Sequence, residues 1–156
     1  MASSPDVPFL GGEELIAFVR ERIAAGQKVS SVPFCGVSML PMLRQGKDLV
    51  ELAPLPERLK KYDLPVYRYP NGKYVMHRVI RVRKEHYVCC GDNLMELERI
   101  PPEWMIAVVS AFFREGKRVE VTDRAYLRYC RRRVATRPLR LARSIAGRWV
   151  KRVLGL

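Results

Sequence analysis

The 156-residue chain is short of the residues that build metal centres and cross-links, with four cysteines and two histidines. Cys35, Cys89, Cys90 and Cys130 include no CxxC spacing, and only His77 and His86 could join them, so neither a zinc site nor any other cofactor is expected. Cys89 and Cys90 are adjacent in a strand-like run and would point to opposite faces, which argues against a disulfide framework. Reduced, partly buried thiols in a cytoplasmic compartment are expected instead. Long apolar runs are missing too. The longest, residues 105–113, is about half of what a spanning helix needs. The N-terminal stretch MASSPDVPFLGGEEL is polar and acidic and has no basic segment leading into an apolar run. No secretory signal and no membrane crossing are therefore expected.

Acidic residues are scarce at one end only. Residues 123–156 carry eleven basic side chains and a single acid, Asp123, a net +10 of the chain's +13, which leaves +3 for the body. An anionic partner, lipid or nucleic acid, is thus a question for the tail alone. Hydrophobic residues make up 48% and charged residues 29%, an ordinary globular mix that excludes wholesale disorder. The length suits one domain with appendages.

Between residues 12 and 25, Leu15, Phe18, Val19, Arg22 and Ile23 recur at helical spacing, and Gly26 follows as a stop. Residues 1–27 are therefore expected to form an N-terminal helical segment. From residue 28 the texture changes to short β-branched and aromatic runs at 28–35, 48–52, 64–69, 73–83, 87–90, 105–113 and 118–121. Pro70-Asn71-Gly72-Lys73 suits a tight hairpin, and a second turn is expected over 84–86. Six or seven strands joined by short links predict a mainly β domain over 28–122: a coiled, mostly antiparallel sheet or small barrel with flanking helices. Residues 123–156 read as a basic amphipathic helical tail. Leu127, Cys130 and Val134 fall in one segment, Pro138 breaks it, and Leu141, Ile145, Trp149 and Val153 follow at i, i+4 spacing. Two readings of the tail stand open. Its apolar stripe packs on the sheet, or it anchors peripherally at an anionic membrane face, for which Trp149 is suited.

The densest chemical signal is Gly36-Val37-Ser38-Met39-Leu40-Pro41-Met42-Leu43-Arg44-Gln45-Gly46-Lys47-Asp48. A serine between a strand and a Pro-interrupted turn can be held exposed, while backbone N–H groups at the turn stay free for an oxyanion. A serine hydroxyl is a poor nucleophile at neutral pH and needs a nearby base. In Tyr74-Val75-Met76-His77-Arg78-Val79-Ile80, alternation places Val75, His77 and Val79 on one face and Met76, Arg78 and Ile80 on the other. A histidine there is either a hydrogen-bonded core residue or a general base. Gly91-Asp92-Asn93 reads as a turn, or as the source of a carboxylate that orients the histidine.

Taken together and in this order, GVSMLPMLRQGKD, KYDLPVY, YVMHRVI and CCGDN resemble the signal peptidase I superfamily, which also includes self-cleaving SOS-type repressors. The resemblance runs from about Val32 to Val109, and its specificity lies in the combination of blocks. It implies a coiled, mostly antiparallel β-fold, with Ser38 as nucleophile and His77 as base, the histidine type rather than the lysine type. Gly36, Val37, Met39 and Pro41 are expected around the substrate, with backbone N–H groups at Ser38 and near Val37 or Gly36 facing the oxyanion. Histidine-type members carry Gly-Asp-Asn, then an acidic pair and arginine whose aspartate is the triad acid. Here the corresponding stretch is Leu94-Met95-Glu96-Leu97-Glu98-Arg99, so the acid is Asp92, Glu98 or neither. Asp92 is preferred, as the residue inside the better-matched motif. The family's transmembrane anchor has no counterpart, which points to a cytoplasmic substrate such as a leader peptide, or to recruitment at the inner membrane face.

Two rivals stand beside a leader-cleaving serine endopeptidase. One is a non-catalytic module of the same fold whose basic tail holds anionic lipid or, less favoured, nucleic acid; a single N-terminal helix does not make the helix-turn-helix of a repressor. The other is an enzyme that cuts its own chain.

Overall fold

The computed structural model describes residues 12–154. The reading of residues 1–11, and the side chains of Val150, Val153 and Leu154, lie outside the described residues. The described chain folds as a mixed α/β protein with nine strands in two antiparallel sheets and three α-helices.

Helix α1 (Gly12–Ala24) has Glu13 and Glu14 in its first turn and Arg22 in its last, charges that oppose the helix dipole correctly. Gly26 closes it at φ +75°, a conformation that glycine adopts without strain. The N–H of Gly26 reaches the Ile23 carbonyl and that of Gln27 the Arg22 carbonyl, so the last turn's acceptors are satisfied. Val19 is buried, with Leu15, Phe18 and Ile23 packed beside it.

The larger sheet runs β1 (Val29–Val32), β2 (Leu49–Ala53), β8 (Met105–Arg114), β3 (Pro65–Arg68), β4 (Tyr74–Met76), and β9 (Lys117–Glu120) also pairs with β8. The smaller sheet is β5 (Arg78–Val82), β6 (Tyr87–Cys90) and β7 (Glu98–Ile100). The Asn-Gly hairpin forms as expected between β3 and β4, with Gly72 at φ +88° and the Tyr69 N–H on the Lys73 carbonyl. The turn at 84–86 joins β5 to β6.

The run at 73–83 is two strands and not one. The chain leaves the larger sheet after Met76 and enters the smaller one at Arg78, with His77 at the crossing. Alternation persists across the break. Val75 and Val79 pack in a core with Tyr67, Cys89 and Ile100, while Met76 and the Arg78 side chain face a second core containing Met42, Tyr126 and Cys130. Strand β7 was not foreseen in the sequence, because three residues are too few to show a period.

The tail divides into α2 (Arg124–Ala135) and α3 (Arg137–Leu154), with the break at Thr136, two residues before Pro138. Tyr126 and Cys130 of α2 are buried in the same core as α1 and the larger sheet. The first half of the tail is therefore part of the body. No described helix is long and apolar enough to cross a membrane.

Candidate active site

Ser38 lies in the loop between β1 and β2, whose shape is set by what the loop buries. Met39, Met42 and Leu43 enter the larger core, and the Leu43 N–H bonds the Met39 carbonyl at 3.0 Å. At the loop's base the buried Asp48 accepts from the Arg44 N–H, Nε and guanidinium at 2.7–3.0 Å. With its neighbours held this way, Ser38 is half-buried and Val37 is 61% exposed. The loop is also clamped from the turn after β6: the Asn93 N–H donates to the Ser38 carbonyl at 2.8 Å, and Asn93 Nδ2 to the Val37 carbonyl at 3.2 Å.

His77 is 5% exposed, and its Nδ1 sits 2.7 Å from Glu98 Oε2. The Tyr67 hydroxyl, on a wholly buried ring, donates to the same oxygen at 2.5 Å. Burial pushes the Glu98 carboxyl up, but hydrogen bonding from His77 and Tyr67, with Tyr69 close by, prevails and holds it at about 2. An ionised carboxylate only accepts, so the hydrogen between His77 and Glu98 resides on Nδ1, and the neutral imidazole carries its lone pair on Nε2. Tyr67 lies 3.3 Å from Nδ1 as well, a secondary contact, because its proton goes to the carboxylate. The Cys89 thiol, opposite Glu98 in the β6–β7 pair, is pushed up to about 12 by burial and so is neutral.

The preference for Asp92 as the carboxylate on His77 is corrected by this geometry. Asp92 grips Arg78 through two bonds of 2.8 Å, Nε to Oδ1 and the second guanidinium nitrogen to Oδ2. Arg78 is fully buried, and its remaining donors meet the Tyr62 carbonyl, the Tyr126 hydroxyl, Cys130 Sγ and Met42 Sδ. Burial pulls the guanidinium's pKa down, and Asp92 and Tyr126 outweigh it to hold the charge firmly. An arginine in a core strand demands a carboxylate, and that demand decides where Asp92 goes. Tyr129 also bonds Asp92 Oδ2, and Arg133 and Arg140 bond its carbonyl, tying α2 and α3 to the turn.

The β5–β6 ladder ends at Arg78↔Cys90, so His77 and Gly91 are the residues that flank its end on the two strands. Gly91 is also where the Ser38 loop comes close: a Cβ there would stand 2.7 Å from the Ser38 carbonyl oxygen. Ser38 and His77 are thus both placed near the end of the β5–β6 ladder. No hydrogen bond joins their side chains. Among the described residues, neither Ser38 Oγ nor His77 Nε2 has a partner, and neither atom is sealed from solvent.

The four residues expected around a substrate divide. Val37 is exposed beside Ser38, and Pro41 is exposed with its carbonyl held by Arg114 at 2.8 Å. The Met39 side chain is buried in the core, so a substrate can reach only its backbone. The Gly36 N–H is already bonded to Gln45 Oε1 at 2.7 Å, which removes it as an oxyanion donor. The N–H groups of Val37, Ser38 and Met39 donate to no described residue. Sequence reasoning missed Tyr67, whose signal was the Tyr67/Tyr69 alternation, and the structural role of Arg78, whose signal was a lone charge inside an apolar strand. No group of three or more His, Cys, Asp or Glu side chains among the described residues is placed to hold a metal ion.

No protein-family model, no curated protein and no solved structure matches the chain.

Proposed function

We propose that the protein is a serine endopeptidase of the signal-peptidase type, with Ser38 as nucleophile, His77 as base and Glu98 as the positioning carboxylate. The observation that carries this reading is the 2.7 Å contact between His77 Nδ1 and the ionised Glu98, on a histidine that adjoins the end of the β5–β6 ladder where Gly91 approaches the Ser38 loop. A core histidine kept only for packing has no need of a desolvated carboxylate fixing its tautomer.

In the first step His77 Nε2 takes the Ser38 hydroxyl proton as Oγ bonds to the peptide carbonyl carbon, and the oxyanion faces the N–H groups of the 37–39 loop. The C–N bond then breaks, the proton passes from Nε2 to the leaving amine, and an acyl-Ser38 ester remains. Water attacks that ester with His77 again accepting the proton, which releases the acid and restores Ser38. The carboxylate stabilises the imidazolium formed in each half. The resemblance to the signal peptidase superfamily supplies the substrate class: an extended leader or signal-like peptide, with small side chains beside the scissile bond.

Labelling with a serine-reactive phosphonate, read by mass spectrometry, tests the assignment. Wild type is modified at Ser38, and Ser38→Ala and His77→Ala each lose both labelling and peptide cleavage. Cleavage retained by either variant, with its fold intact by circular dichroism, overturns it.

A further inference from the structure

Helix α3 presents its faces in reverse of an ordinary surface helix. The side against the body is largely polar: Arg137 donates to the Met95 carbonyl, Arg140 to the carbonyls of Asp92 and Arg133 at 3.0 and 2.8 Å, and Ser144 is half-buried along the same line, with Leu141 the one half-buried apolar side chain among them. The apolar side faces out. Leu139 is 55%, Ile145 51% and Trp149 70% exposed, with Ala142 and Ala146 exposed between them. At the helical repeat these five positions span an arc of about 120°. Helices normally turn such an arc inward and their arginines outward.

Six basic residues and no acid belong to α3, and Arg143, Arg148, Lys151 and Arg152 lie on the flanks of the apolar arc or beyond it. We propose that this outward face docks on an anionic lipid bilayer, with Leu139, Ile145 and Trp149 in the acyl boundary and the basic side chains among the headgroups. The charge pattern selects this occupant. A second copy of the face would bring like charges against like, Arg143 and Arg152 at the edges of the arc among them, and a nucleic acid would satisfy the charges while leaving the large apolar side chains in water. A bilayer of anionic lipid takes both at once, and an indole at the boundary meets its usual environment. The body is held to this plane through the 91–95 turn, because Arg137 and Arg140 grip the Met95 and Asp92 carbonyls. The inference stands apart from the peptidase reading, since no residue of the candidate active site enters it.

The full chain is sedimented with phosphatidylcholine vesicles, with and without about one-third phosphatidylglycerol, at physiological salt. The wild type binds the anionic vesicles about tenfold or more tightly than the neutral ones, and Ile145→Glu/Trp149→Glu loses about tenfold or more of that binding. The double variant keeps its helical signal, its melting temperature and its phosphonate labelling, because both side chains lie on the surface. Trp149 emission shifts to the blue on anionic vesicles in a Trp104→Phe background. Four results overturn the proposal: no vesicle binding by wild type; equal binding by the double variant, which would mean charge alone; a wild-type dimer dissolved by the double variant without lipid binding; or tighter retention on duplex DNA than on the anionic vesicles at the same salt.

Discussion

Glu98 Oε2 stands 2.7 Å from His77 Nδ1, across the gap between the two sheets, with the Tyr67 hydroxyl on the same oxygen. His77 belongs to the crossing from β4 to β5, and Glu98 is the first residue of β7. The carboxylate holds the Nδ1 side of the imidazole, as the proposed general base requires.

Glu98→Gln keeps the side chain's shape and removes its charge. Phosphonate labelling of Ser38 is expected to slow by about 10²-fold or more, because a neutral amide neither stabilises the imidazolium nor fixes the tautomer. Tyr67→Phe retains the ring and loses one donor to a charged acceptor, costing about 1.5–3 kcal/mol of stability with a smaller loss of labelling. Wild-type labelling by Glu98→Gln would remove Glu98 from the site.

Gly91→Ala tests whether the Gly91 contact places Ser38 for the proposed reaction. The added methyl falls 2.7 Å from the Ser38 carbonyl and 3.0 Å from Leu94, and the first of these neighbours is backbone that cannot rotate away. The loop must retreat, and labelling should fall by about 10²-fold, as for other small misplacements of a reacting group. Unchanged labelling kinetics would show that the loop position is not critical.

The Arg78–Asp92 pair is expected to govern stability before activity. Asp92→Leu leaves a fully buried guanidinium unpaired and should cost about 3–5 kcal/mol in urea denaturation. Arg78→Met/Asp92→Leu removes both charges and should recover most of that loss, the signature of a buried pair. A double variant as unstable as the single one would locate the cost in the other contacts of Arg78.

Acid should unfold the protein through Glu51 and Glu98. Burial pushes the Glu51 carboxyl up, and Arg118, Ser110 and Lys28 together bring it to about 2, as Glu98 is brought to about 2. Because both folded-state values lie below the ordinary 4.5, the stability they confer is present above about pH 4.5 and is lost as pH falls through about 2. Solvent screening keeps both contributions below the roughly 3 kcal/mol that shifts of this size would give in full. Denaturation of Glu51→Gln against wild type should show the full deficit at pH 6 and little difference near pH 2; a deficit independent of pH would contradict this.

Much of the scaffold was legible because it rests on local signals. The helix stop at Gly26, the Asn-Gly hairpin and the alternation around His77 each depend on a few adjacent residues. Ser38 and His77 stood out as candidates for the same reason. The acid did not, since Asp92 and Glu98 are both near in sequence and the choice turns on Arg78, a competitor for carboxylate whose burial no local pattern reveals.

Residue order alone determined that an exposed-turn serine, a strand histidine and a basic helical end belong to this protein. Only the tertiary structure decided that residues 73–83 divide between two sheets, that Asp92 goes to Arg78 and Glu98 to His77, and that α3 turns its apolar side outward. Those outcomes depend on which charges end up buried together, and the cost of an unpaired buried charge is set by the whole surrounding core and not by neighbours along the chain.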